Sequence, residues 1–515
     1  MKSSQTKPIH LFSIDFRSLA ATRIAAGVYL FCDVIQRMGD VSAHYSDAGV
    51  FPLAALREWW DGKLWWMLTV HSLDSGSSWP LFVFAVQLIF AALMIVGFQS
   101  RFAITMSWVL LVSMQNRNPL ILHGGDQMLR ATLFWLLFLP VGATWSLDGS
   151  NAIRRAYGQP VQESLTSIAS AGLLLQTTIV YLSTALLKHS KEWWSEGSAM
   201  YYALNIGQFR LPLGDIAKDL PPIVLRFSTW MTLAFEILAP LIVFSKIPLV
   251  RNLTILAAFV FHLVFVALLM DVGPISFASC ILWIPFIPGS TWDALKSHTG
   301  TQTLKLLANG ILTPITSWRE KRIAKWVFTE KPLPVVNTSI VGQVMAALSL
   351  LYIIHWNAYN LNPSLKQWFT PVANTLRLDQ YWGMFAPKPM ADDGWFSMMA
   401  ALDDGRRVDL FQDGRPHTFE RPADVVHMHK TARWAKYWMN MWMEKHGKFR
   451  KYGVAYMRSQ YQIKHPEREI KQLSFYYHLD LIPSPGHRRA PIQPTLIWTE
   501  SYVNPLATPL APMSD

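Results

Sequence analysis

One lysine in an oily setting is the residue of this sequence best placed to do chemistry. Lys188 lies in IVYLSTALLKHSKEWWSEGSAMYYAL, residues 179–204, at the end of a long apolar run. His189, Lys191, Glu192 and the pair Trp193-Trp194 follow it closely. A lysine amine in water has a pKa of about 10.4 and is a poor base at neutral pH. Apolar and aromatic walls, or a second cation such as Lys191, would lower that value and free the lone pair. The competing reading is a helix-end lysine whose ammonium snorkels to the interface. The functional reading requires Lys188 to face a pocket between helices.

A second candidate is NRNPLILHGGDQMLR, residues 116–130, a polar break with Gly124-Gly125 between two apolar runs. It reads either as a helix-connecting turn capped by Asp126 or as a polar wall for a ligand. In the second case His123 and Asp126 are the proton or hydrogen-bond partners, because polar groups at membrane depth are costly and tend to be functional. A third is His262 in FHLVFVALLMDVGPISF. A lone histidine in an apolar helix serves as interhelical glue or as a ligand-binding group. Glu236 has the same ambiguity, and Arg23 could be its counter-ion or that of Asp33. His427 and His429 stand one residue apart, which on a helix points them to different faces and disfavours a metal pair. Only Cys32 and Cys280 occur, both inside apolar runs, so no disulfide framework, C-x-x-C motif or zinc site is expected. No phosphate loop, G-x-S-x-G or H-E-x-x-H context appears.

These groups must be positioned by a largely apolar chain. Of 515 residues, 51% are hydrophobic and 16% charged, against about 25% charged in soluble proteins. That excludes a disordered or collagen-like chain. The net charge of +12 is spread over the ends of apolar runs, as membrane-flanking charges are, so no nucleic-acid partner is expected. A span needs about 20 mostly apolar residues. Nine candidates stand out, at 18–37, 78–98, 102–120, 126–145, 165–187, 224–245, 251–271, 273–290 and 337–356. The N-terminus does not read as a cleaved signal peptide. Lysine and arginine favour a cytoplasmic N-terminus, through residues such as Arg17, Arg101, Arg154, Arg155 and a basic loop at 291–336. Nine spans then put the C-terminal tail on the outer face. The Trp-rich stretch 50–72 reads as an interfacial amphipathic helix.

From about residue 357 the composition turns polar, with Pro and Gly punctuation. WFSMMAAL, GRRVDLF and YGVAYMRSQYQI read as short strands, with a hairpin-type turn at Asp403-Asp404-Gly405-Arg406. Residues 423–447 read as a helix, and 503–515 as a frayed end. The expected fold is an α-helical multi-pass membrane bundle of about nine spans with a C-terminal α+β extramembrane domain. Its parts are a bundle at 10–290, the loop 291–336, a last span at 337–356 and the extramembrane domain 357–515.

Three blocks carry a resemblance. LAATRIAAGVYLFCDVIQRMGDVSAHYSDAGVFP, NRNPLILHGGDQMLRATLFWLLFLPVGATWSLDG and IVYLSTALLKHSKEWWSEGSAMYYAL resemble the HTTM domain, the multi-span module shared with vitamin K-dependent γ-carboxylases. The block WGMFAPKPMADDGWF…RWAKY is similar to an extension of bacterial members. The resemblance implies an inner-membrane enzyme, a carbon-carbon lyase, whose embedded lysine deprotonates a vitamin K or menaquinone hydroquinone. Oxygen then yields the epoxide and a base strong enough to take the γ-proton of a protein glutamate, whose carbanion adds carbon dioxide. On this alignment Lys188 matches the catalytic lysine. The carboxylase histidine falls at Gly125, with His123 two residues earlier as the substitute. Asp126, Trp193, Trp194 and His262 become candidate cofactor-binding groups, and a glutamate-containing protein or peptide the substrate. The alternative reading is a non-catalytic member that binds quinone or lipid and anchors the outer-face domain.

Overall fold

The computed structural model describes residues 10–61, 69–148, 163–298, 339–425 and 428–502. Most of the basic loop 291–336, the middle of the Trp-rich stretch, His427 and the tail 503–515 lie outside the described residues.

Local signals in the sequence set the helix ends. Helix α1 (Phe16–Met38) is capped by Asp15, whose carboxylate accepts the Arg17 amide. Helix α2 (Ser78–Val96) stops at Gly97, which takes a left-handed φ of 69°. It is followed by α3 (Ser100–Arg117) and the short α4 (Gly124–Leu136). Helix α5 (Ile168–Leu187) starts in a reciprocal box, Ser170 N to Ser167 Oγ at 3.1 Å and Ser167 N to Ser170 Oγ at 2.8 Å. Helix α6 (Pro222–Ile242) has proline in its first turn and α7 (Pro248–Val260) runs on into a π-turn, Phe261–Val266. Helix α8 (Ile275–Trp283) and α9 (Ile340–Leu361) complete the bundle. The main packing pairs are α1 with α2, α2 with α3, α4 with α8, and α5 with both α6 and α9.

Among the described residues six helices are long and apolar enough to cross a membrane: α1, α2, α5, α6, α7 with its π-turn, and α9. A seventh is reached if the bent pair Ile275–Phe286 and Gly289–Lys296 counts as one span. The expected spans at 102–120 and 126–145 do not meet that measure. Helix α3 closes on Gln115, Asn116 and Arg117, and α4 has 13 residues.

Beyond α9 a short helix α10 (Thr370–Leu376) leads into the C-terminal part. Its sheet runs in the spatial order Arg415–Pro416, Arg407–Asp409, Trp395–Leu402, Ile470–Leu479, Gln493–Ser501 and is antiparallel throughout. A two-stranded pairing of β1 (Ser13–Asp15) and β2 (Ser164–Thr166) precedes it in the chain. Strand β3 (Trp395–Leu402) and β4 (Arg407–Asp409) fall where strands were expected, joined at Gly405 with φ 85°. Strands β5 (Arg415–Pro416), β6 (Ile470–Leu479) and β7 (Gln493–Ser501) complete the sheet. The helix expected over 423–447 is α11, confined to Ala432–Trp442 and capped by Thr431. The expected strand YGVAYMRSQYQI is instead helix α12 (Arg450–Lys464). Its tyrosines and valine are strand-favouring residue types. Yet Phe449, Gly453, Tyr456 or Met457, and Tyr461 recur every three to four residues and lie on the core side. One hydrophobic core runs without a break from α1 through the helices to Trp434, Tyr437 and the sheet residues Phe396 and Phe475.

Candidate functional site

Lys188 is the residue that ends α5, just past its last apolar turn. It does not snorkel: it is 3% exposed. Its Nζ lies 2.5 Å from Oε1 of Glu236, in the middle of α6, and 4.5 Å from the centre of the Trp193 ring. Oε2 of Glu236 is buried and has no hydrogen-bond partner among the described residues. Two tryptophans hold the turn around Lys188. Trp194 Nε1 donates to the Lys188 carbonyl (2.6 Å), and Trp193 Nε1 donates to the carbonyl of Phe385 (3.0 Å). Ser190 N reaches the carbonyl of Pro387. The segment 377–387, which includes WGMFAP, therefore lies across this end of the bundle. Arg377 bonds Asn116, Arg130 Nη2 donates to the Asp379 carbonyl (2.9 Å), and Gln380 exchanges amide bonds with Gln176.

Two sequence expectations are corrected here. Lys191 is not a second cation at the site, because it is exposed and pairs with Glu196 at 2.7 Å. Arg23 is the counter-ion of neither Glu236 nor Asp33. It sits near the start of α1 and donates to the carbonyls of Met94 and Trp145.

The second candidate region is built differently. His123 is the N-cap of α4, and Asp126 Oδ2 accepts the His123 amide at 2.9 Å. Asp126 also receives Arg37 Nη2 at 2.5 Å and Arg433 Nη1 at 3.0 Å. Asp33 receives Arg37 Nε at 2.9 Å and Arg433 Nη2 at 2.5 Å. Two carboxylates and two guanidiniums thus form a neutral quartet, closed on the carboxylate side, with each acid touching both bases; Arg433 Nε has no hydrogen-bond partner among the described residues. All four residues are buried. Arg433 comes from α11 in the C-terminal part. Burial opposes its charge, but Asp126 and Asp33 raise its pKa well above the usual arginine value. Burial lowers His123 to about 4, so the ring is neutral near pH 7. Neither ring nitrogen has a hydrogen-bond partner among the described residues, and Nδ1 stands 3.5 Å from Asp126. At Gly125 a side-chain carbon would meet the Tyr29 hydroxyl at 2.7 Å and the His123 ring at 3.2 Å. The imidazole of residue 123 therefore lies directly against position 125, which has no room of its own for a side chain.

His262 lies in the π-turn after α7. Its Nε2 meets the Tyr181 hydroxyl, which also accepts Trp283 Nε1 at 2.8 Å, so the three side chains join α7, α5 and α8. Tyr181 is seven residues before Lys188, hence on the same face of α5 and about 10 Å deeper. The structure thus groups Lys188 with Trp193 and Trp194, His123 with Asp126, and His262 with Tyr181. Glu236, Arg37 and Arg433 are the partners that sequence reasoning did not assign. Glu236 stands out in the sequence as a charge in an apolar run; nothing local marks Arg433.

The comparison with known families decides the identity of the helical part, since residues 12–292 match the HTTM domain, more than half of the chain. The chain belongs to the HTTM family. It is similar to the sporulation-delaying protein SdpB of Bacillus subtilis (strain 168), with 25% identity over 175 residues, 33% of this chain and 53% of SdpB. It is also similar to the uncharacterized protein YitO of the same organism, with 25% identity over 192 residues, 36% of this chain and 59% of YitO. The matches cover only a little over half the length of these curated relatives. No solved structure matches. The Lys188 and Asp126 regions both lie inside the HTTM match, whereas Arg433 and the segment 377–387 lie outside it.

Proposed function

We propose that the Lys188–Glu236 pair is a proton-transfer site for the acidic hydroxyl of a reduced lipid-soluble quinone, of vitamin K or menaquinone type. On this reading the protein is a γ-carboxylase-like enzyme of the cell (inner) membrane, acting on glutamate-containing protein or peptide. The observation that carries it is the unsatisfied chemistry of one buried pair. Glu236 Oε2 is an acceptor without a partner beside a lysine amine that is buried rather than solvated. Such a pair suits a hydroxyl group, which can donate to one atom and accept from the other. A reduced quinone held there would supply the acidic hydroxyl and the electrons that oxygen consumes.

The work of the chain's own residues follows from the pair. With the proton on Glu236, Lys188 presents a lone pair and can take a hydroxyl proton. The ammonium so formed is favoured by the face of the Trp193 ring. Trp194 fixes the turn through the Lys188 carbonyl, and segment 377–387 keeps bulk water from the amine. Asp126 holds the head of α4 and with it the neutral His123, a second proton acceptor. The His262–Tyr181 pair extends the polar lining down α5. Nine membrane crossings, with a cytoplasmic N-terminus and an outer C-terminal domain, belong to the same reading. They draw support from Asp148, which lies beyond α4 yet bonds the amides of Gln99 and Ser100 at the start of α3. The 124–148 segment would then traverse the bundle although its helix is short.

The test is purified protein in vesicles with hydroquinone, oxygen, bicarbonate and a Glu-containing peptide. Epoxide and peptide-bound carbon from the wild type, reduced at least about 100-fold in Lys188→Met, is the expected result. Absence of both from the wild type, or their persistence in Lys188→Met, would overturn it. A non-catalytic member that binds quinone or lipid and anchors the outer domain is the second reading. It is favoured by the continuous core and by the closed quartet, which serve attachment without any turnover.

A further inference from the structure

The chain does not leave the membrane where its composition turns polar. Helix α9 ends at Leu361, and Asn362–Leu365 is a turn in which Leu365 N bonds the Asn362 carbonyl at 3.1 Å. Proline at the second position, Pro363, suits that reversal. The chain then folds back along α9. The His355 ring stacks on Trp368 with centroids 3.9 Å apart, His355 Nε2 donates to the Lys366 carbonyl (2.9 Å), and Tyr352 donates to the Phe369 carbonyl (3.2 Å). Tyr352 is nine residues before the helix end, roughly 13 Å down its axis. From that low point α10 returns to Arg377 and its bond with Asn116.

All residues from 361 to 370 are exposed. At the low point are Phe369, 74% exposed, and Trp368, 56% exposed, with Leu365 and Val372 beside them. Two large aromatic rings presented outward at the tip of a folded-back loop would be costly in water. Beside them, the outer face of α9 carries exposed Leu348, Leu351 and Ile354, the lipid-facing side of a membrane-crossing helix. The apolar surface of the loop continues that face. Tryptophan at such a level belongs to the headgroup zone, and the apolar tip to the upper acyl chains.

We infer that residues 362–376 form a wedge that dips into the bilayer leaflet on the side of the C-terminal domain. Its partner is lipid: acyl chains around Phe369 and Leu365, headgroups around Lys366. The C-terminal domain therefore rests on the membrane through its own first segment, and its extramembrane part begins after α10 rather than at 357. The inference does not depend on any reaction at Lys188.

Depth-dependent quenching tests it on the full chain in vesicles of phosphatidylethanolamine and phosphatidylglycerol. With Cys32 and Cys280 changed to serine, a single cysteine at Phe369 would carry an environment-sensitive fluorophore. A second version at Leu365 serves if the first does not fold. The comparison position is Arg488, exposed in the β6–β7 loop. The expected result is a blue-shifted probe at 369, quenched by nitroxide on the acyl chain and shielded several-fold from aqueous iodide relative to 488. Equal iodide quenching at the two positions, or no response to lipid nitroxide, would overturn the wedge.

Discussion

Two buried charge clusters sit at the same end of this bundle and are satisfied to different degrees. In the quartet of Asp33, Arg37, Asp126 and Arg433, each acid touches both bases, and three of its four members come from the helical part. The Lys188–Glu236 pair has one ion contact, one ring contact and one carboxylate oxygen with no partner among the described residues. A closed cluster in low dielectric has little reason to change its protonation. An open one keeps an unused bonding site where a substrate proton can enter. The difference teaches where to look for chemistry: at the cluster whose carboxylate acceptor is left over among the described residues, rather than at the one with more charges, where only the Arg433 Nε donor is unused.

The sharpest way to break that comparison is to open the closed cluster. Arg433→Met leaves two buried carboxylates facing Arg37 alone. Breaking a buried charge group from one side costs about 3–5 kcal/mol, which denaturant melts in detergent would show as the largest loss of any single change considered. Asp33→Asn in the same chain removes the surplus acid and should return more than half of that loss. A single variant within about 0.5 kcal/mol of wild type, or a double variant no better than the single, would mean the quartet is incidental. At the open cluster the stability effects are smaller, because one partner contact is lost rather than two. Glu236→Gln should cost about 1–3 kcal/mol, the range for an unpaired buried polar group, while abolishing any Lys188-dependent turnover. If Glu236→Gln destabilises as strongly as Arg433→Met, the distinction between closed and open clusters fails.

The contrast also explains what was legible in the sequence. Lys188 with Trp193 and Trp194 could be read because the three lie within seven residues and one apolar run announces them. The capping role of Asp126 was legible for the same reason, three residues from the amide it accepts. Strands β3 and β4 were legible from a short apolar run, WFSMMAAL, followed by the turn signal Asp403-Asp404-Gly405-Arg406. The pairing of Lys188 with Glu236 spans 48 residues and that of Arg433 with Asp33 spans 400, and no local period encodes either. Helix α12 differs from the expected strand because its β-favouring tyrosines recur at helical spacing, and packing of that face decides. The spans at 102–120 and 126–145 were drawn from apolar composition, but polar side chains at the buried end of α3 and the shortness of α4 keep both below the usual measure.

A pH series tests the buried histidines of the C-terminal part. Burial holds His429 and His478 down to about 4 in the folded chain. Their ordinary value is about 6.5, so the unfolded chain takes up protons at a pH where the folded chain does not. Stability from this source is therefore whole above about pH 6.5 and is lost progressively as pH falls towards 4. Melts followed by a probe in the C-terminal sheet should drop over that window, and His478→Gln should flatten the drop. A midpoint that stays constant from pH 7 to 4.5 would show that these histidines do not couple to folding.

The smallest expected effect probes how the open cluster is kept in shape. Trp193→Phe keeps an aromatic face over the Lys188 amine but deletes the bond from Nε1 to the Phe385 carbonyl. A neutral hydrogen bond is worth about 1 kcal/mol, so melts should move only slightly. The bond, however, is one of the ties between the HTTM bundle and segment 377–387. If that segment is what keeps water from Lys188, loosening it should raise the reaction of the Lys188 amine with an aqueous acylating reagent by several-fold, read by peptide mass spectrometry. Trp194→Phe, which loses a bond to the Lys188 carbonyl within the same turn, should leave that reactivity nearly unchanged. Equal reactivity in both variants would place the water barrier in the bundle itself, and the openness of this cluster would then owe nothing to the C-terminal part that closes the other.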